Sequence, residues 1–417
     1  MNDIHPSRLM PMPSHRRLLF TLIRFLDGGI DTVLVEYLRE IVRRGEYSVT
    51  LAIGVKMPGL EVFLGQLPAE VEVVYLNQAR WLTTLPARRV KERIPVALKV
   101  VDELLCNPIR RFAFRRGLRR LAARHDVLVD FACSFASFMP SVRIPKIGFY
   151  HFSLPASLKT KTAKRARWER RFDGYDRIVT ISRAMEYEFR ETFPSLSGRL
   201  EMIYNAKDVE TLMRQSEIPD GQIPQEPFLL SIERLEESQK DITTLLHVMR
   251  CLRDEYHISI PLYIIGKGKS EAGLKALAEE LQLTDTVHFM GFILNPYPWL
   301  RQCTMLLHSA KFEGLPTVLI EALLLGKHVV SSDCPTGPSE ILNGGKAGIL
   351  VPPADERAMA EAVALLMSDE GKRRELDEGI RHHRLRFTFE TTYGRFRKVV
   401  EGVATEQDSK ILPSRRR

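Results

Sequence analysis

Two carboxylates, Glu313 and Glu321, stand in one stretch of the chain with seven residues between them. Glu313 falls in a glycine-containing loop and Glu321 inside the helix that follows. One can therefore face a group at the strand tips, while the other reaches a group lying along the helix. Pro316 sits where the first position of a helix should be, a place that wants no N–H. The amides of the helix start, across Gly314, Leu315 and Thr317, form an anion site with the macrodipole behind them. A carboxylate for hydroxyls, amides for a diphosphate and a second carboxylate for a ribose make a pocket for a nucleotide sugar. The pair also admits a plainer reading, two exposed acids on an ordinary amphipathic helix.

Upstream, Arg234 and Lys240 lie on a loop and at the mouth of the next helix, where two cations can grip a diphosphate. Arginine does so in two-pronged fashion and lysine as a point charge. Gly266 and Gly268 occupy the turn of LYIIGKGK, and VHFMGF places Gly291 and Phe292 at another strand end. In the first half, Gly28 and Gly29 join a strand to a helix, an arrangement that also serves as a simple tight turn. The dinucleotide fingerprint G-x-G-x-x-G is absent there. His151 ends the run IGFYH at a strand tip, where open α/β sheets put their ligands, although lone histidines at such places are often structural.

The stretch FEGLPTVLIEALLLGKHVVSSDCPTGPSEIL resembles the donor-binding segment of the retaining family 4 glycosyltransferases (glycosyl transferases group 1) of the GT-B fold. YNAKD at 204–208 is similar to their hinge, which often reads Y-N-G-V-D. The resemblance implies that Glu313 contacts the donor sugar, Glu321 the ribose, and Arg234 with Lys240 the diphosphate. It further implies donor-side roles for Gly266, Gly268, Gly291 and Phe292, the last two offering backbone to a nucleobase. The Gly28–Gly29 loop would face the diphosphate and acceptor across the cleft, and His151 would hold a donor-sugar hydroxyl or the acceptor. Three departures stand out. Ser339 replaces a residue that is often basic, Glu233 stands where glycine is usual, and the Arg–Lys spacing is one residue longer than the commonest form.

These residues need elements to hold them. A chain of 417 residues suits two domains of roughly 200 residues each. Short apolar runs alternate with amphipathic stretches throughout, which predicts an α/β class: two doubly wound, Rossmann-like domains facing a central cleft. The expected boundaries are a disordered lead-in over 1–15, an acceptor-side domain over 16–205 and a linker over 206–226. A nucleotide-sugar domain then covers 227–389, a helix packing back on the first domain covers 390–404, and 405–417 forms a disordered tail.

No run approaches the roughly 20 apolar residues that span a bilayer, and the N-terminus lacks signal-peptide character. Five scattered cysteines without C-x-x-C fit a reduced cytosol rather than a disulfide framework or zinc site. No D-x-D occurs, so no metal site is expected. The formal charge of +9 is concentrated in Arg110–Arg124, Lys159–Arg171 and the last three residues. Such patches attract anionic lipid, nucleic acid or acidic substrates. From Pro86 to His125 the period is helical, and the arginines with Phe112 suit a lipid-surface segment or, equally, a solvated face over a core stripe.

The expected activity is metal-independent retaining transfer of a hexose or N-acetylhexosamine from a UDP-sugar to a glycan, lipid-linked in character. Lipopolysaccharide, capsule or exopolysaccharide synthesis is the setting, at the cytoplasmic face of a membrane and without nucleic acid. A nucleotide-sugar epimerase or a phosphorylase on the same fold, and a non-catalytic glycan- or nucleic-acid-binding protein, are the rivals.

Overall fold

The computed structural model describes residues 15–91, 94–154, 158 and 162–411. Apart from His15, the lead-in lies outside the described residues, as do 412–417.

Among the described residues the strands form two all-parallel sheets. The first contains β1 (Arg16–Leu22), β2 (Tyr47–Val55), β3 (Glu72–Asn77), β4 (Val127–Asp130), β5 (Lys146–Tyr150), β6 (Arg177–Thr180) and β7 (Leu200–Met202), in the order β3-β2-β1-β4-β5-β6-β7. The second contains β8 (Leu229–Ile232), β9 (Leu262–Ile265), β10 (Val287–Gly291), β11 (Met305–His308), β12 (His328–Ser332) and β13 (Ile349–Val351), in the order β10-β9-β8-β11-β12-β13. Helices cover both faces, so central strands read as continuous apolar runs: Leu18, Leu19 and Phe20 of β1 are all fully buried. The doubly wound pair expected from the sequence is the architecture observed.

Element ends follow local chemistry. The helix Gly29–Arg44 starts where the Asp31 carboxylate accepts the Gly28 N–H at 2.9 Å, and stops at Gly45, whose φ of 65° is left-handed. The helical stretch read over Pro86–His125 is broken into Arg80–Lys91, Val96–Val101 and Asn107–Ala122, with a wide turn at Asp102–Cys106. Pro95 interrupts the first pair, and the wide turn brings buried Asp102 to within 2.7 Å of Arg110.

Two boundaries differ from the sequence reading. The linker 206–226 contains the helix Val209–Ser216, capped by Asp208. The last helix runs Phe389–Ile411, so residues 405–411 are helical rather than tail. That helix crosses back to the first domain, where Phe389, Phe396 and Val400 share a core with Leu18, Phe20 and Tyr37. Glu401 anchors it to Arg16 and the Tyr47 hydroxyl at 2.9 and 2.8 Å.

Candidate functional site

In the second sheet the strand order reverses between β8 and β11, and open parallel sheets lodge ligands beyond the carboxyl ends of their strands at such a reversal. Glu233 and Arg234 follow β8, while His308 ends β11 and Glu313 lies five residues beyond it. Lys240 approaches from the adjoining loop. Its ammonium pairs with Glu313 and lies 3.6 Å from Glu233. The His308 ring stands 3.6 Å from Glu313. Burial alone would raise the Glu313 pKa, but the Lys240 ammonium, with the His308 ring nearby, outweighs it and holds the carboxyl at about 2. Burial pulls the Lys240 pKa down, and the two carboxylates more than reverse that. The result is a buried Glu313–Lys240 ion pair, with a carboxylate able to accept sugar hydroxyls beside a cation able to meet phosphate.

The C-P-T-G-P turn holds this loop in place. Thr336 Oγ1 donates to the carbonyls of Glu313 and Gly314 at 2.9 and 3.0 Å. A Cβ on Gly337 would lie 2.7 Å from Pro316 Cδ and 2.9 Å from the Gly314 carbonyl, so glycine is required there. The helix begins at Thr317, one residue later than the sequence suggested, with Pro316 as its cap and Leu315 buried beneath. The amides of Thr317 and Val318 have no backbone acceptor among the described residues, as a helix start requires.

Across the cleft the first domain comes close. A Cβ on Gly314 would fall 2.0 Å from the His151 carbonyl, so the two loops touch backbone to backbone. His151 is buried, and burial drops its pKa to about 4 despite a hydrogen bond to the Phe131 backbone. That bond favours the protonated ring, so the ring donates in it. Nε2, buried without a partner among the described residues, is left as the acceptor of a neutral imidazole. A Cβ on Gly28 would meet the Arg234 guanidinium at 2.9 Å. Arg234 is exposed and forms no ion pair among the described residues, so its fork points at the Gly28–Gly29 loop uncommitted. Lys267 bridges to Asp27 at 2.8 Å, and its ammonium sits 4.7 Å over the Phe292 ring. Phe292 in turn stands edge-on to Phe63 of the first domain.

Glu321 sits differently from the sequence picture of a ribose ligand free to bind. Its carboxylate is 2.8 Å from the Lys207 ammonium and accepts from the Tyr297 hydroxyl at 3.3 Å. Lys207 also lies 3.8 Å from Glu36 of the first domain. Gly266 and Gly268 have a structural task, since a Cβ on either would collide with the Glu233 or Leu235 carbonyl at 1.8 or 2.0 Å. Gly291 takes a φ of 71° at the end of β10.

Sequence reasoning missed several residues. Glu233, noted only as a departure from pattern, is the second carboxylate beside Lys240. Lys207 joins both domains at the hinge, where the family pattern has valine, and that mismatch was its visible signal. Asp31 organises the Gly28–Gly29 loop, and burial pushes its carboxyl up to about 6 against backbone hydrogen bonds from Gly28 and Leu26. Glu340 accepts from the Arg183 and Ala184 amides at 3.0 and 3.3 Å, and from the Tyr204 hydroxyl, tying the domains together.

Comparison with known proteins agrees with this geometry. The profile described as Glycosyl transferases group 1 matches residues 213–383, and that described as Glycosyltransferase Family 4 matches 27–211. The N-acetylgalactosamine-N,N'-diacetylbacillosaminyl-diphospho-undecaprenol 4-alpha-N-acetylgalactosaminyltransferase of Campylobacter jejuni is 28% identical over 48% of this chain and 53% of its own length. The chain thus spans about half of that relative. A second Campylobacter jejuni enzyme, the GalNAc-alpha-(1->4)-GalNAc-alpha-(1->3)-diNAcBac-PP-undecaprenol alpha-1,4-N-acetyl-D-galactosaminyltransferase, is 25% identical over 86% of this chain and 91% of its own. Among solved structures, S. aureus TarM, crystallised with UDP and alpha-GlcNAc-glycerol, superposes with a TM-score of 0.72 at 12% identity, covering 92% and 99% of the two chains.

Proposed function

We propose a sugar transfer for this chain, which belongs to the family 4 glycosyltransferases of the GT-B fold: a hexose or N-acetylhexosamine moves from a UDP-sugar to a glycan carried on a lipid, with retention at the anomeric carbon. The single observation behind this reading is the Glu313–Lys240–Glu233 cluster beside the uncommitted Arg234, facing Gly28 and His151 across a narrow cleft. The bond from the anomeric carbon to the diphosphate oxygen breaks. The acceptor oxygen bonds to that carbon from the same face, and its proton passes to the departing diphosphate oxygen. Charge grows on the leaving group, so fixed cations and amide dipoles lower the barrier. Arg234, Lys240 and the amides of Thr317 and Val318 supply them, and no divalent metal is required on this reading.

Glu313 holds donor-sugar hydroxyls and the neutral His151 Nε2 accepts one more. Glu321 takes the ribose hydroxyls on Oε2, the oxygen left open by Lys207 and Tyr297, which both meet Oε1. The UDP donor is supported by the UDP bound to TarM, and the lipid-linked acceptor by the undecaprenol-linked substrates in the relatives' names. No helix among the described residues is long and apolar enough to cross a membrane. Docking at a membrane surface is supported instead by Val96, Leu104, Leu105 and Phe112, which are 63–73% exposed on a run that also carries exposed arginines. Such a synthesis belongs to lipopolysaccharide, capsule or exopolysaccharide assembly at the cytoplasmic face. Release of UDP over a donor panel, with the anomeric configuration of the product read by NMR, tests it. Inversion, or no release with any nucleotide sugar, overturns it.

A further inference from the structure

The first sheet also reverses its strand order once, between β1 and β4. A cavity of about 350 Å³ opens at that reversal, floored by Ile23 and Arg24 beyond β1 and by Cys133 and Ser134 beyond β4. Its volume suits a small ligand group. The walls are cationic. Arg24, Arg89, Arg110, Arg111 and Arg171 all line it, against the two carboxylates of Asp102 and Glu103. Both acids are already engaged: Asp102 lies 2.7 Å from Arg110 and 3.4 Å from Arg89, and Glu103 lies 3.2 Å from Arg89. Among the described residues no carboxylate pairs with Arg24, Arg111 or Arg171, and Arg89 Nε is buried without an acceptor. Desolvation of part of the side chain, followed by repulsion from Arg89 and Arg110, lowers the pKa of the otherwise exposed Arg24. Arg24, Arg111 and Arg171 reach the cavity from its exposed side, so an entering anion meets three guanidiniums without a carboxylate partner among the described residues.

The cavity is placed between two other features. Arg24 lies four residues before Gly28, which abuts Arg234 of the donor cluster. On the other side, the segment walling the cavity with Asp102, Asn107, Arg110 and Phe114 carries the exposed apolar residues Val96, Leu104, Leu105 and Phe112 on its outer surface. Planar guanidiniums match phosphoryl oxygens two at a time. A molecule with an apolar tail on that surface, an anionic head in the cavity and a sugar reaching the cleft satisfies all three features together.

We propose that this cavity binds the phosphate or diphosphate through which the glycan acceptor is joined to a membrane lipid. The inference rests on the transferase reading and adds to it the place where the acceptor's head group is held. The source is a lipid-borne phosphoryl group seated at a bilayer surface.

The test is flotation of the full chain with phosphatidylcholine vesicles, doped to equal charge with either phosphatidylglycerol or a polyprenyl diphosphate. The wild type should partition about ten-fold more onto the diphosphate vesicles, the scale of a charge-assisted contact, and inorganic pyrophosphate in solution should compete it off. The Arg24→Gln/Arg111→Gln variant should lose that preference while binding UDP as the wild type does. Arg171→Gln, on a separate helix, gives the same readout if the double variant folds poorly. Equal partitioning onto both vesicles, no competition by pyrophosphate, or an undiminished preference in the variants overturns the proposal. If the preference stands but no nucleotide sugar binds, the transferase reading fails and the phosphoryl site survives; the converse removes this site alone.

Discussion

The two domains reverse their sheets in the same way and finish the reversal with opposite electrostatics. Beyond β8 and β11, Lys240 is shared between Glu313 and Glu233 with Arg234 alongside, so cations and carboxylates are matched in number. Beyond β1 and β4, five guanidiniums meet two carboxylates, and a positive surplus is left. The geometry of a parallel sheet fixes where a ligand sits, and the side chains at the tips decide which ligand it is. The balanced site offers acceptors for hydroxyls as well as a cation for phosphate. The surplus site offers mainly donors, since its two carboxylates are already engaged by Arg89 and Arg110.

The strongest way to break the contrast is to unbalance the second-domain cluster. Lys240→Ala and Glu313→Ala should each lower kcat/KM by roughly 10²-fold, the scale of a lost electrostatic stabiliser, with released UDP as the readout. Lys240→Ala should also lower the melting temperature, because it strands two buried carboxylates. Wild-type rates in both variants would remove the cluster from the chemistry.

Next in size is the contact that brings the two domains together. Gly314→Ala puts a methyl 2.0 Å from the His151 carbonyl, where neither backbone can yield without the domains parting. A fall in kcat of about ten- to a hundred-fold is expected, since misplacement of about 1 Å costs that much in an aligned transfer. Binding of UDP alone should hold, because Arg234, Lys240 and Glu321, the residues proposed to hold it, lie in the second domain. Loss of UDP affinity in step with kcat would show that the glycine serves the nucleotide instead.

Lys207 couples the domains through charge rather than shape. Its ammonium, buried between Glu321 and Glu36, has a pKa well above the usual lysine value: burial opposes the charge, and the carboxylates with Tyr297 outweigh it. Lys207→Met should raise the donor KM about ten-fold and cost about 3–5 kcal/mol of stability, the penalty for breaking a buried pair from one side. Adding Glu36→Gln should restore part of the stability and none of the KM. A full rescue of KM would place the nucleotide effect on Glu36 rather than on Glu321.

How much of this was legible in the chain depended on the range of the signal. Strands such as Leu18–Leu22 announced themselves as apolar runs, and Gly314-Leu315-Pro316 marked the donor loop because turn chemistry is local. Lys207 could not be read as a bridge, since its partners lie 171 positions back and 114 ahead in the numbering, and only the tertiary fold brings them together. The same holds for Arg24, which joins a cavity otherwise lined by arginines from 89 to 171. Glu233 looked like a broken pattern because Lys240 supplies its meaning from across the loop. Val96, Leu104 and Leu105 kept helical spacing whether they faced a core or a bilayer, so spacing alone left both readings open.

A smaller effect concerns His151, whose environment contrasts with the charged cluster opposite. Folding lowers its pKa from 6.5 to about 4, so the unfolded chain holds the extra proton in that window. Its contribution is fully present above pH 6.5 and is lost as the pH falls toward 4. Asp31 and Asp130, raised from 3.8 to about 6, act with the opposite sign over much of the same range. Denaturant melts of wild type and His151→Gln should therefore be compared as a difference, and the variant should lose less stability on acidification. An unchanged pH slope would mean that the imidazole is as protonatable in the fold as in water.

The smallest effect is the most discriminating between shape and charge at the cleft. Gly28→Ala places its methyl 2.9 Å from Arg234, still closer than real Cβ atoms come to a neighbour. The obstacle, however, is the far end of a long side chain without an ion-pair partner, so the guanidinium can swing aside at little cost. Surface changes of this kind usually stay within ±0.5 kcal/mol, and a change in kcat/KM of about two-fold is expected. If Gly28→Ala proved as damaging as Gly314→Ala, Arg234 would have to be held in place by the diphosphate itself during the reaction. The first-domain loop would then take part in gripping the leaving group instead of merely facing it.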